Sequence, residues 1–223
     1  MSKKLFAALM AIAAFAAFGM ASTASAAPVV TQPTGTVLAV NTAVVGTNVG
    51  DTTMVTPFGT VTCSTAVLSG KLTTNSTVSG SKGEVSSASF TGTGSNGECT
   101  SWTGGVTVTP NHPAATPVNG TPWCLEATAA SDEGKVRGGG CSSATRPIRF
   151  GMDFTSLGTC VYQRSEAAVG SVTTDVSGQQ ASVKLVEQEW KLFEGGFGCP
   201  SSGKLNMTFN LETSNGTAVY FSS

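Results

Sequence analysis

The sequence is poor in the side chains that carry most protein chemistry. Histidine occurs once in 223 residues, as His112 in the segment PNHP. A Ser-His-Asp site would have to use it, and no G-x-S-x-G elbow supplies a nucleophile. A histidine-based metal site lacks its second ligand for the same reason. Charge is scarce too, at 11% of the chain. Arg137, Arg146 and Arg149 are the only concentration of basic residues, too sparse for a nucleic-acid footprint. There is no D-x-D-x-D-G run to hold calcium and no Cys-x-x-Cys pair to hold zinc. After residue 20 no segment approaches the ~20 apolar residues of a membrane-spanning helix. These gaps lead to the expectation of no cofactor, no nucleic-acid partner, no catalytic site and no integral membrane span.

What is there begins with a leader. Lys3 and Lys4 precede the apolar run Leu5 to Met20, and Ala24-Ser25-Ala26 gives a small-residue cleavage site, the pattern of a secretory signal over residues 1–26. Its removal takes two of the twelve basic residues, leaving 10 Lys+Arg against 13 Asp+Glu. A net charge near −3 does not favour anionic partners. Residues 27–34, APVVTQPT, read as a loosely held leader. Residues 35–223 read as a single domain, with Pro110–Pro122 a long loop inside it.

All six cysteines, Cys63, Cys99, Cys124, Cys141, Cys160 and Cys199, lie after the leader. An even number in an exported chain reads as disulfides. Fifteen connectivities are open. A β meander, in which sequence neighbours are spatial neighbours, favours the sequential set Cys63–Cys99, Cys124–Cys141 and Cys160–Cys199.

Short runs rich in Thr, Val and Ser recur between Gly, Asn, Ser and Pro clusters. Examples are Thr36–Val40, Phe58–Cys63, Ala66–Leu72, Val85–Phe90 and Ile148–Phe154. Lys204–Glu212 alternates cleanly, with Leu205, Met207, Phe209 and Leu211 on one face. Ser182–Phe193 also fits a helix, but its strand-rich surroundings favour β. Val172 to Val186 suggests a hairpin at Ser177-Gly178-Gln179. The Gly-rich segment Ser131 to Cys141 reads as a hairpin end or mobile loop. Together these predict an all-β, antiparallel sandwich or partly closed barrel.

Four features could carry function. GCPSSGKL, Gly198 to Leu205, imitates a phosphate-binding loop, yet Leu205 replaces its hydroxyl residue and a strand pattern follows instead of a helix. Glu187 and Glu189, alternating on one strand face, could serve as a glycosidase pair, and Asp132 and Glu133 sit together in the Gly-rich segment. Trp102, Trp123, Trp190 and Tyr162 could form a sugar-stacking platform or fill the core. Asn75, Asn119, Asn206 and Asn215 head N-x-[ST] sequons.

The tail GGFGCPSSGKLNMTFNLETSNGTAVYFSS resembles a pattern in small, uncharacterised secreted β proteins of high-GC Gram-positive bacteria. FGTVTCSTAVLSGKLT around Cys63 and TCVYQ around Cys160 look like further parts of it. The resemblance implies export and a β fold, and no activity. The functional expectation is an exported, non-catalytic protein of the cell surface or extracellular matrix, acting by adhesion, matrix or surface binding, with a glycan, a small hydrophobic ligand or another surface protein as candidate partners. A module for a glycan or small hydrophobic ligand is the first alternative, and a carboxylate-based hydrolase the second. An exposed row of Trp102, Trp123 and Trp190, or an apolar cleft between the sheets, would favour the ligand module over the surface protein.

Overall fold

The structure is a computed structural model, described here over residues 27–109, 122–127, 134–142, 146–169 and 180–222. The leader 1–26, His112, Asp132, Glu133, Asn119 and the hairpin at Ser177-Gly178-Gln179 lie outside these residues. Among the described residues the chain forms sixteen strands. The first six are β1 (Val29–Thr31), β2 (Ala43–Asn48), β3 (Thr52–Thr56), β4 (Gly59–Cys63), β5 (Thr65–Ser76) and β6 (Gly80–Thr91). The middle of the chain gives β7 (Cys99–Ser101), β8 (Gly104–Thr109), β9 (Trp123–Ala127), β10 (Gly134–Gly138) and β11 (Ile148–Phe154). Then come β12 (Gly158–Arg164), β13 (Ala167–Val169), β14 (Ser182–Gly195), β15 (Ser202–Thr213) and β16 (Tyr220–Ser222).

Eight of them close into an antiparallel barrel in the order β3-β4-β7-β8-β11-β12-β14-β15, with β15 returning to β3. Six more strands extend from β15 as an outer sheet, β2-β5-β6-β9-β10-β13, whose last strand comes back against β14, and β1 and β16 form a separate two-stranded sheet. The all-β expectation holds, and its barrel form is the one realised.

β15 makes both bodies possible. Lys204–Asn206 pair with β3, while Phe209–Thr213 pair with β2. The alternating apolar face of this strand therefore continues from barrel interior to interlayer core. One apolar core unites the two, with Met54, Val61 and Phe154 from the barrel and Leu68, Val85 and Trp123 from the outer sheet. A smaller core gathers Val30, Leu38, Leu72, Val219 and Phe221.

The disulfides are Cys63–Cys99, Cys124–Cys141 and Cys160–Cys199. Their sequential order does not come from a meander. Between Cys63 and Cys99 the long β5–β6 hairpin leaves the barrel to build the outer sheet, and β4 pairs with β7 rather than β5.

Several local readings change. Thr36–Val40 forms no strand beyond a bridge from Val37 to Thr31. Part of the expected loose leader is held: β1 is buried, pairs with β16, and is clamped by Asn75. Asn75 Nδ2 donates to the carbonyls of Val30 and Leu38, each at 2.8 Å, while its Oδ1 accepts the Val30 N–H at 2.7 Å. The Gly-rich segment contains β10, hydrogen-bonded on both edges to β9 and β13. Main-chain pairing needs no side chain, and Gly138 suits the place because a Cβ there would lie 2.6 Å from the Pro147 carbonyl.

Candidate functional site: an apolar cavity between barrel and outer sheet

The residues singled out by spacing scatter. In GCPSSGKL, Cys199 is tied to Cys160, and Gly203 to Leu205 already belong to β15. With a strand in place of a helix, no fan of N–H groups faces an anion. Glu187 and Glu189 are both exposed on β14. They share the outer face as expected, with Gln188 between them turned inward, although a bulge between Leu185 and Gln188 puts Glu187 at φ +49°. Glu187 ion-pairs with Lys204 at 3.6 Å on the surface, and neither acid lines the apolar cavity between barrel and outer sheet.

Of the four platform aromatics, Trp123, Trp190 and Tyr162 are buried in the core and only Trp102 is half exposed. The sequon residues Asn75 and Asn206 have structural duties, Asn206 Oδ1 accepting the bulged Glu187 N–H at 2.7 Å. Arg149 lies over the Phe193 ring, 3.5 Å from its centre. Among the described residues no three His, Cys, Asp or Glu side chains converge as a metal-binding group.

What the structure does bring together is a two-chambered apolar cavity. One chamber, about 90 Å³, lies beneath the outer sheet between Leu72, Ala127, Leu211 and Phe221. The other, about 60 Å³, reaches into the barrel between Met54, Phe150, Trp123 and Trp190. Leu68, Leu125 and Val183 line both, so the chambers share one wall.

The inner chamber has an unusual polar feature. Thr52, Trp123 and Trp190 line it and are 4%, 6% and 2% exposed. Thr52 Oγ1 and the indole Nε1 of both tryptophans are buried with no hydrogen-bond partner. A buried polar atom left unpaired costs about 1–3 kcal/mol, and native proteins keep few of them. Three such atoms, all on residues that line one otherwise apolar chamber, mark it as the candidate small-molecule site.

The outer chamber has a charged border. Glu126, which lines it, receives Lys82 Nζ at 3.2 Å, Arg137 Nη2 at 3.1 Å and Arg137 Nε at 3.3 Å. Burial alone pushes the Glu126 carboxyl up, but the hydrogen bonds and charges of Lys82 and Arg137 outweigh it and hold the group below 4.5. A depressed carboxylate stabilises the fold fully above its unfolded value, and that contribution fades as pH falls through the folded value. Unfolding measured across pH should therefore show a loss of stability beginning below about pH 4.5. In Glu126→Gln this acid limb should be shallower; an unchanged limb would remove Glu126 as its source.

No family model, curated protein or solved structure matches the chain. No helix among the described residues is long and apolar enough to cross a membrane.

Proposed function

We propose that this chain is an exported, non-catalytic binding protein that holds a small, neutral, largely apolar molecule between barrel and outer sheet. The observation that carries the reading is the set of three unpaired polar atoms, Thr52 Oγ1 and the two indole N–H groups, on residues lining an apolar chamber. A purely adhesive sandwich gains by packing such a space shut, since lost contacts and residual cavity volume both cost stability.

The size of the site limits its ligand. An apolar cavity of about 150 Å³ accepts benzene; the chambers are about 90 and 60 Å³, so a ligand of roughly six to eight non-hydrogen atoms has to reach across the shared wall into both. In this reading an acceptor oxygen, as in an alcohol, ketone or ester, satisfies one of these unpaired donors. A carboxylate fits less well, because no cation lines the inner chamber and an uncompensated buried charge is expensive. Export is supported by the signal-like leader, by the resemblance to secreted β proteins, and by three disulfides, which are compatible with an oxidising compartment.

Titration of the full chain with benzyl alcohol and n-hexanol, read by tryptophan fluorescence, tests the proposal. Both should give a saturable shift and raise the melting temperature, and benzene, lacking an acceptor, should bind more weakly. Thr52→Val removes one unpaired hydroxyl at little change in shape and should weaken benzyl alcohol binding about fivefold, the worth of a ~1 kcal/mol hydrogen bond. Absence of saturation with both alcohols would refute the reading.

A further inference from the structure

The topology places four hairpin turns at one end of the barrel. The strands alternate in direction around the ring, so the turns β3–β4, β7–β8, β11–β12 and β14–β15 must share a rim. Registers agree: Val55 pairs with Lys204 next to the first and last turns, Phe154 with Val106, and Cys160 with Gly195. The turns read TPFG (residues 56–59), SWTG (101–104), TSLG (155–158) and GGFGCPS (195–201). Each carries one large apolar residue, Phe58, Trp102, Leu157 or Phe197, and none contains a charge. Phe58 and Phe197 are exposed, while Trp102 and Leu157 are half-buried supports.

We propose that this rim docks on a lipid–water interface of neutral headgroups, inserting Phe58 and Phe197. Three observations select that occupant. First, the turns satisfy much of their own backbone. Thr56 Oγ1 donates to the Gly59 carbonyl at 2.7 Å, Ser101 Oγ to Gly104 at 3.0 Å, and Thr155 Oγ1 to Gly105 at 3.0 Å. Carbonyls already paired lower the cost of entering an apolar medium. Second, the charged residues closest in sequence to the third and fourth turns are Asp153 and Glu194, Lys204 beside the rim is paired with Glu187, and no Lys or Arg in the turns would attract anionic lipid. Third, the tips recur every second strand, about 10 Å apart in the sheet. A fluid monolayer closes around separate tips, whereas a protein partner would need a pocket for each. Sugar stacking is the poorer match, since Trp102 has one side covered by Gly59, where a Cβ would lie 3.0 Å from the indole.

The test is co-sedimentation of the full chain, exported from an expressing host, with phosphatidylcholine vesicles, beside the double variant Phe58→Ser/Phe197→Ser. Both positions are exposed, and far-UV circular dichroism with thermal melting checks that the fold is kept. Burying a Phe side chain is worth at least a factor of ten, so the double variant should bind at least about tenfold more weakly. Parent binding should be the same at low and high salt. The proposal is overturned if the parent does not bind these vesicles, if the folded double variant binds equally well, or if binding needs anionic lipid and disappears in salt. An exposed rim that captures a protein from an envelope extract but ignores vesicles would also overturn it. The rim and the cavity share no tested residue, so either result leaves the other proposal standing.

Discussion

The double variant Cys63→Ala/Cys99→Ala should lose about 4 kcal/mol of unfolding free energy, the loop-closure entropy of a 36-residue link. The physical reason is the weakness of the seam this bridge crosses. β7 has three residues and meets β4 through the single pair Thr62–Thr100. Between the two cysteines the chain departs into the outer sheet and returns. Without the covalent link the barrel must hold that seam by a minimal ladder and by the packing of Val61 and Val106, both fully buried. Denaturant unfolding checks the value, and Cys124→Ala/Cys141→Ala is the comparison. Its 17-residue link predicts a smaller loss of about 3 kcal/mol. If the Cys63–Cys99 variant loses less than about 1 kcal/mol, the seam is held by packing and the bridge is incidental.

Arg137→Met should cost about 3–5 kcal/mol, as expected for breaking a buried ion pair from one side. Arg137 is 8% exposed. Besides its two bonds to Glu126 it donates Nη1 to the Gly140 carbonyl at 3.0 Å and Nη2 to the Cys141 carbonyl at 3.3 Å. It therefore ties β9 and β10 to the loop that ends in the Cys124–Cys141 bridge. Removing it leaves Glu126 with Lys82 alone and two carbonyls short of donors. For a protein of this size the melting temperature should fall by about 10 °C. The paired variant Arg137→Met/Glu126→Gln should recover part of the loss, because the uncompensated carboxylate is gone. A single variant that melts with the parent would mean that water serves Glu126 as well as the guanidinium does.

The sequence announces strands where one face must be apolar. β15 is legible because Leu205, Met207, Phe209 and Leu211 alternate, and β14 because its neighbours are strands. β10 is not, since GKVRG carries almost no side-chain pattern and owes its conformation to partners on both edges. Barrel closure is equally silent: the β3–β15 pairing joins residues about 150 positions apart, and nothing local records it. The alternation of Glu187 and Glu189 was legible; that their shared face is open surface was not, because it depends on what packs against β14. The cavity was visible only as tryptophans that could fill a core; which indole N–H groups go unpaired is decided by packing. The rim could have been noticed earlier, as four turns each combining one large apolar residue with glycine and no charge. Their common location still needed the strand order.

The fork in β15 also sets a schedule. Its first half completes the barrel against β3 and its second half carries the outer sheet through β2. Until residues 202–213 have been synthesised, neither body can be finished, however long the rest of the chain has been waiting. A nascent chain of this design stays open and threadable through most of its translation. A product that stops short of β15 should be recognised as unfolded and degraded, whatever disulfides it has already formed.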